Sequence, residues 1–234
     1  MTTPLIEFID VTIARQREHL LSRVSLYLQH RYRRRPYVGV VHRLDRETSG
    51  ALVFARTREA LRFLQQRFKS HEIEREYVAI VEGRPPESGV FDVALTGDGN
   101  LRRRSVARPG ERGKRALTRY RVLEALSGAS LVSVELETGR THQIRIHFAA
   151  AGHPVLGDRV YRSPGLPGPA AAPPGVGRQM LHARRLGLPH PRGTGFVRVD
   201  SPIPEDFAKV AAALRGKPRP PKKKAPRIDR GARS

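Results

Sequence analysis

Asp45 stands in a short run crowded with polar side chains. Between two apolar stretches the chain reads VHRLDRETSG, Val41 to Gly50, and the carboxylate has His42, Arg43 and Arg46 around it. Nearby positive charge favours the ionised form of a carboxylic acid. That suits a nucleophile or a base and not a proton donor. The plainer alternative is a surface turn in which Asp45 only pairs with arginines. A second polar cluster, TGRTHQIRIH from Thr138 to His147, offers Arg140 and Arg145. Arg145 follows His142 by three positions, which places both on one face if the segment is helical. These cations serve either catalysis or plain contact with nucleic-acid phosphates. Tyr77 lies in REYVAIVEG, and a tyrosine on a strand ordinarily packs into a core.

Several chemistries lack their residues. The chain has no cysteine, which excludes disulfides, thiolate metal sites and a cysteine nucleophile. It carries no GxGxxG after a strand, no GxxxxGK[ST], no HExxH and no GxSxG. His142 and His147 are five apart, so a helix would turn them to different faces and away from a shared metal. No cofactor or metal is expected, and the chemistry falls to side chains.

The elements that must position these groups follow from the hydrophobic pattern. Residues 17–34 read as a helix with Leu20, Val24, Tyr27 and Leu28 at helical spacing. Tyr37–Val41 and Ala51–Ala55 are apolar runs with strand character, and the Asp45 segment is the loop between them. Thr57 can cap a helix from Arg58 to about Lys69, with Leu61, Leu64 and Phe68 inward and Arg62, Gln66 and Lys69 outward. Glu76–Glu82 reads as a strand that carries Tyr77 and ends at Gly83, Pro85 and Pro86. Ala116–Leu123 is another, and Val132, Val134 and Leu136 alternate with polar neighbours as in a half-buried strand. Thr141–Ala151 reads as a helix with Ile144, Phe148 and Ala151 on one side, stopped by Gly152 and Pro154. Met180–Leu188 and Gly195–Val199 are closing strands, and Pro204–Leu214 is a last helix. Residues 97–115 form a Gly/Arg-rich loop and 162–178 a Pro/Gly/Ala loop. The interspersed but irregular order predicts an α+β fold with a mixed, mostly antiparallel sheet and flanking helices.

Charge points to the partner. The 234 residues include 44 Lys+Arg against 22 Asp+Glu, a formal net charge of +22. Residues 215–234 hold nine of those cations beside Asp229, so the remainder is strongly basic on its own. A polyanion is the natural partner, and nucleic acid is the commonest one. No apolar run approaches the ~20 residues that span a bilayer, and the opening segment has no secretory core. A cytoplasmic protein without membrane contact is expected.

Four blocks, taken together, resemble the RluA family of RNA pseudouridine synthases. VHRLDRETSG is similar to the family signature HRLDxxTSG. REYVAIVEG resembles its aromatic strand, and LETGRTHQIRIH running into AGHPVLGDRVY resembles its third block. LHARRLGLPHP resembles its closing Leu-His-Ala strand. The blocks stand in family order and spacing from about Tyr37 to Phe207. The resemblance implies the pseudouridine synthase catalytic fold and the isomerisation of uridine in structured RNA, either rRNA or tRNA, to pseudouridine. It implies no cofactor. Asp45 takes the place of the essential aspartate, Tyr77 of the tyrosine that stacks on the target base, and Arg145 of the arginine that pairs with the aspartate. Arg43 corresponds to the residue that helps hold the base out of the stack, and Leu181 to an apolar wall of the pocket. His42, Thr48, Arg140, His142 and Gln143 complete the expected substrate contacts.

The expected organisation is an atypical lead with one helix over 1–36, a catalytic domain over 37–214 and a basic disordered tail over 215–234, in a monomer that does not bind DNA. The Lys-Pro-x-Gly segment that family members usually carry upstream of the first motif is missing, so the lead is expected to be atypical or truncated. A shortened lead predicts an exposed edge on Tyr37–Val41 or Ala51–Ala55. Two rivals remain: an RNA-binding protein with this fold but without catalysis, and a basic ribosomal or assembly protein with a fortuitous HRLD. The second predicts no pocket joining Asp45, Tyr77 and Arg145.

Overall fold

The computed structural model describes residues 6–11, 20–33, 37–97, 104–108, 110–162, 175–193 and 195–215. The tail after Arg215 and most of the 162–178 loop lie outside these residues. Among the described residues one sheet of ten strands carries four helices. The strands are β1 (Ile6–Val11), β2 (Gly39–Val40), β3 (Ser49–Ala55), β4 (Glu74–Glu82), β5 (Ser88–Gly97), β6 (Arg104–Val106), β7 (Lys114–Ala125), β8 (Ala129–Leu136), β9 (Leu181–Pro189) and β10 (Phe196–Asp200). The helices are α1 (Leu20–Tyr32), α2 (Arg58–Lys69), α3 (Gln143–Ala150) and α4 (Glu205–Arg215). The sheet runs β1-β3-β9-β4-β8-β7-β5-β6, with β2 also on β3 and β10 also on β9. Every named pairing is antiparallel except β3–β9. The architecture is the expected α+β.

Two features position the site. The parallel seam between β3 and β9 is narrow: only Ser49↔His182 and Gly50↔Ala183 are in register. The backbones come so close that only glycine fits at 50. Its φ is +123°, and a Cβ there would overlap the backbone of Ala183. The second feature is order. β9 follows all the longer strands in the chain, yet it sits between β3 and β4.

The helices cover both faces. On β3, Ala51, Val53 and Ala55 meet Ala60 and Leu64 of α2, while Leu52 and Phe54 meet Val24 and Leu28 of α1. Leu44 packs into the α1 cluster, so the helix of the lead also seats the turn that holds Asp45. Thr57 caps α2, its hydroxyl oxygen accepting from the Ala60 N–H at 3.1 Å. On β4, Ala79 and Val81 face Ile144 and Phe148 of α3, and Val78 and Ile80 face Phe207 and Val210 of α4.

Some expectations need correction. One edge of β3 is covered, because β1 pairs along it from Ile6↔Ala55 to Val11↔Gly50, while β2 and β9 cover only the two ends of the other edge. The Tyr37–Val41 run is a strand only at Gly39–Val40. The basic 97–115 segment is not one loop: β6 pairs with β5, and β7 already begins at Lys114. β5 itself escaped the pattern because Leu95 is its sole buried residue. Helix α3 ends at Ala150 and is buried from Gln143 through Phe148, so it has no single apolar side, and Ala151 is exposed.

Candidate active site

Asp45 opens a tight turn in which the Thr48 N–H donates to the Asp45 carbonyl at 3.0 Å. The turn leads directly into β3. Thr48 itself is buried and accepts from the Gln179 side-chain amide at 2.8 Å. The Asp45 side chain is 21% exposed and reaches across the seam to α3. Its Oδ2 lies 3.2 Å from Nη1 of Arg145, and its Oδ1 lies 3.8 Å from Nε2 of His142.

Arg145 is fixed from its other side. Its Nε and Nη2 donate to the two oxygens of Asp158 at 2.6 and 2.9 Å. Asp158 Oδ1 also accepts from the backbone N–H groups of Val160 and Tyr161. The guanidinium lies 4.9 Å from the ring centroid of Tyr161. Burial works against the charge of Arg145, but the hydrogen bonds and charges of Asp158 and then Asp45 raise its pKa further. A bidentate fork of this kind holds a guanidinium in direction as well as place. The result is a permanent cation aimed at Asp45.

His142 precedes α3 in a left-handed conformation, φ 58°, and its Nδ1 lies 2.7 Å from the Tyr161 hydroxyl. Tyr77 stands on the α3 side of β4, packed against the cluster that contains Ile144 and Leu181. Its Cα partner on β9 is Ala183, and Leu181 faces Ala79 in the same register. Tyr77 and Leu181 therefore share one sheet face, with Leu181 buried in that cluster. Burial pushes the Tyr77 phenol up to about 12. The Arg75 cation pulls against that shift, and Asp45 adds to it.

The other expected contacts divide. Arg43 is exposed at the turn. Gln143 is buried and spends its amide inside the protein: its oxygen accepts from Thr138 and the Arg140 N–H, and its nitrogen donates to the Leu117 carbonyl and to Thr118. Arg140 donates to the Arg115 carbonyl. The His42 ring stacks on Phe68 at 4.8 Å and accepts the Val53 N–H. Burial, helped by Arg75, lowers its pKa to about 3, so the ring is neutral. His42 and Gln143 thus brace the two loops around the cleft. Sequence reasoning did not single out Asp158 or Tyr161, although both lie in AGHPVLGDRVY; a carboxylate following Gly157 was the available signal.

Comparison with known proteins gives one family. The profile of RNA pseudouridylate synthase matches residues 10–150. An uncharacterized RNA pseudouridine synthase of Chloroflexus aurantiacus is 43% identical over 176 residues, 75% of this chain and 53% of the relative. A ribosomal large subunit pseudouridine synthase D of Nitrosomonas europaea is 41% identical, covering 78% and 53%. The chain thus spans about half the length of these relatives. Among solved structures, human RNA pseudouridylate synthase domain containing 4 superposes with a TM-score of 0.76 over 92% of both chains at 21% identity. Human RNA pseudouridylate synthase domain containing 1 gives 0.66 over 93% of this chain and 96% of that one, at 27% identity.

Proposed function

The chain belongs to the RluA family of RNA pseudouridine synthases, and from that premise we propose that it isomerises uridine in RNA to pseudouridine with Asp45 as the catalytic carboxylate. The observation that supports this most is the asymmetric pair on Arg145. Asp158 is fully buried and fully bonded, whereas Asp45 is partly open and held by the same cation. An anion among RNA phosphates needs such a fixed counter-charge. Arg145 supplies it without blocking the carboxylate.

In the reaction the N1–C1′ bond of uridine breaks, the base turns, and C5 bonds to C1′ while the C5 proton leaves and N1 gains one. Asp45 either adds to C1′ or removes the C2′ proton; both begin at the same oxygen. A base inside a stacked helix must first be flipped out, at a cost of a few kcal/mol. Tyr77 and Leu181 offer the flipped base an aromatic and an aliphatic surface. Base–aromatic stacking contributes ~1–3 kcal/mol. Arg43 at the mouth contacts the displaced strand, and Arg140 and His142 contact the sugar–phosphate chain. The substrate is structured RNA. The large-subunit name of the relative from Nitrosomonas europaea favours rRNA over tRNA. The protein acts as a monomer in the cytoplasm, without cofactor and without affinity for DNA.

Release of tritium from RNA labelled at uridine C5 tests the reading directly. Release with multiple turnovers is expected. RNA binding without release would leave the non-catalytic RNA-binding protein as the answer.

A further inference from the structure

Asp45 and Arg145 come from segments 100 residues apart, and their contact is only as good as whatever holds those segments together. The register pairs of the β3–β9 seam are too few to do this alone. Beside the seam lies Arg178, 6% exposed. It precedes β9, and its hydrogen bonds go to neither Asp45 nor Arg145. Its guanidinium binds three places at once. Nη1 donates to the Glu47 carbonyl in the Asp45 turn at 3.2 Å, and Nη2 to the hydroxyl oxygen of Ser49, the first residue of β3, at 3.2 Å. Nη1 also donates to the carbonyls of Gln179 and Leu181 at 2.9 and 3.3 Å. Nε and Nη2 donate to Asp206 of α4 at 2.7 and 3.0 Å. The next residue, Gln179, holds Thr48 of the same turn.

The backbone here also carries the Arg145 side of the pair. The Met180 N–H donates to the Leu156 carbonyl at 2.8 Å. Gly157, at φ 78°, lies so close that a Cβ would overlap the Arg178 carbonyl oxygen. Asp158, the anchor of Arg145, is the next residue. One short stretch, 178–180, therefore grips the turn of Asp45 with its side chains and the segment of Asp158 with its main chain.

We propose that Arg178 is a positioning residue that sets the spacing of Asp45 and Arg145. The inference rests on Asp45 being the catalytic carboxylate. The guanidinium fork is what the role requires, because a lysine ammonium is a point charge that keeps Asp206 but cannot reach the Glu47 carbonyl and Ser49 together.

The test is Arg178→Lys in the full chain. A displacement of about 1 Å in a reacting group costs on the order of 100-fold in rate. The expected result is a fall in kcat of about that size, with KM within about twofold and the thermal midpoint nearly unchanged. Asp206→Asn keeps the grip on the turn and should retain kcat within about threefold. A crystal structure of R178K should show the Asp45–Arg145 separation beyond ~4 Å, the outer range of an ion pair. Wild-type kcat in R178K, a loss confined to the thermal midpoint, or an equal loss in D206N would each overturn the proposal. Should R178K fail to fold, Ser49→Ala removes one strand of the grip and should lower kcat at constant KM; unchanged kcat would overturn it too. If the wild-type protein releases no tritium, the functional reading fails, and the crystallographic separation in R178K still decides this one.

Discussion

Asp45 and Asp158 divide the work of two carboxylates on one guanidinium. Asp158 is enclosed and takes two backbone N–H groups besides Arg145, so it has no capacity left for substrate. Asp45 is 21% exposed, and among the described residues its Oδ1 has only His142 near it, at 3.8 Å. Asp45→Asn should therefore leave the Arg145–Asp158 bond and the fold intact while turnover falls by several orders of magnitude. Circular dichroism and RNA binding would check the first half and tritium release the second; activity above about a tenth of wild type would refute the role. At Tyr77 the phenol, pushed up to about 12, stays protonated through any working pH. Tyr77→Phe should keep RNA affinity, since the ring still stacks, and should slow turnover only as far as the protonated hydroxyl acts as a hydrogen-bond donor. A solvent-isotope or single-turnover measurement separates the two. A Kd weakened about tenfold by Tyr77→Phe would mean the hydroxyl, not the ring, holds the RNA.

The elements that periodicity marked clearly were the ones buried on one face. α2 begins and ends where its cap and stripe put it, Arg58 to Lys69, and β8 alternates as its sequence does. β5 and β6 were illegible because they lie near the open end of the sheet, where pairing and not burial defines a strand. The polar bridges were illegible for another reason: Arg178 meets Asp206 and the Asp45 turn only through the tertiary fold, and no local spacing announces that. Burial in α3 has a consequence for acid stability. Burial lowers the His147 pKa from 6.5 to about 4, and that of His42 to about 3. Between the ordinary and lowered values the unfolded chain binds protons that the folded protein does not. The stability due to these neutral rings is present above pH 6.5 and is lost as pH falls toward 4, at up to about 1.4 kcal/mol per pH unit for each histidine. His147→Gln keeps a partner for Thr118 and cannot titrate. Urea denaturation between pH 7 and 4.5 should show a shallower decline in H147Q; an identical slope would remove His147 from the account.

At the scale of the molecule, charge and sheet order act separately. The nine cations of residues 215–234 can attract phosphates through charge alone. Removing residues 217–234 should raise KM and flatten its dependence on salt, with kcat nearly unchanged; a large fall in kcat would mean that the segment orders part of the cleft.

Sheet order has a temporal side. Synthesis delivers β3 with Asp45 first, then β4 with Tyr77 and α3 with Arg145, and only afterwards β9, which belongs between β3 and β4. Until residue 189 has left the ribosome, the inner edges of β3 and β4 have no β9 to pair with. Unpaired edges of that kind invite pairing with other chains. A nascent or prematurely terminated chain can therefore hold all three site residues and still be inert. Its remedy is the insertion of β9 between β3 and β4, so the candidate site is completed in one step and only after Asp45, Tyr77 and Arg145 have all been made.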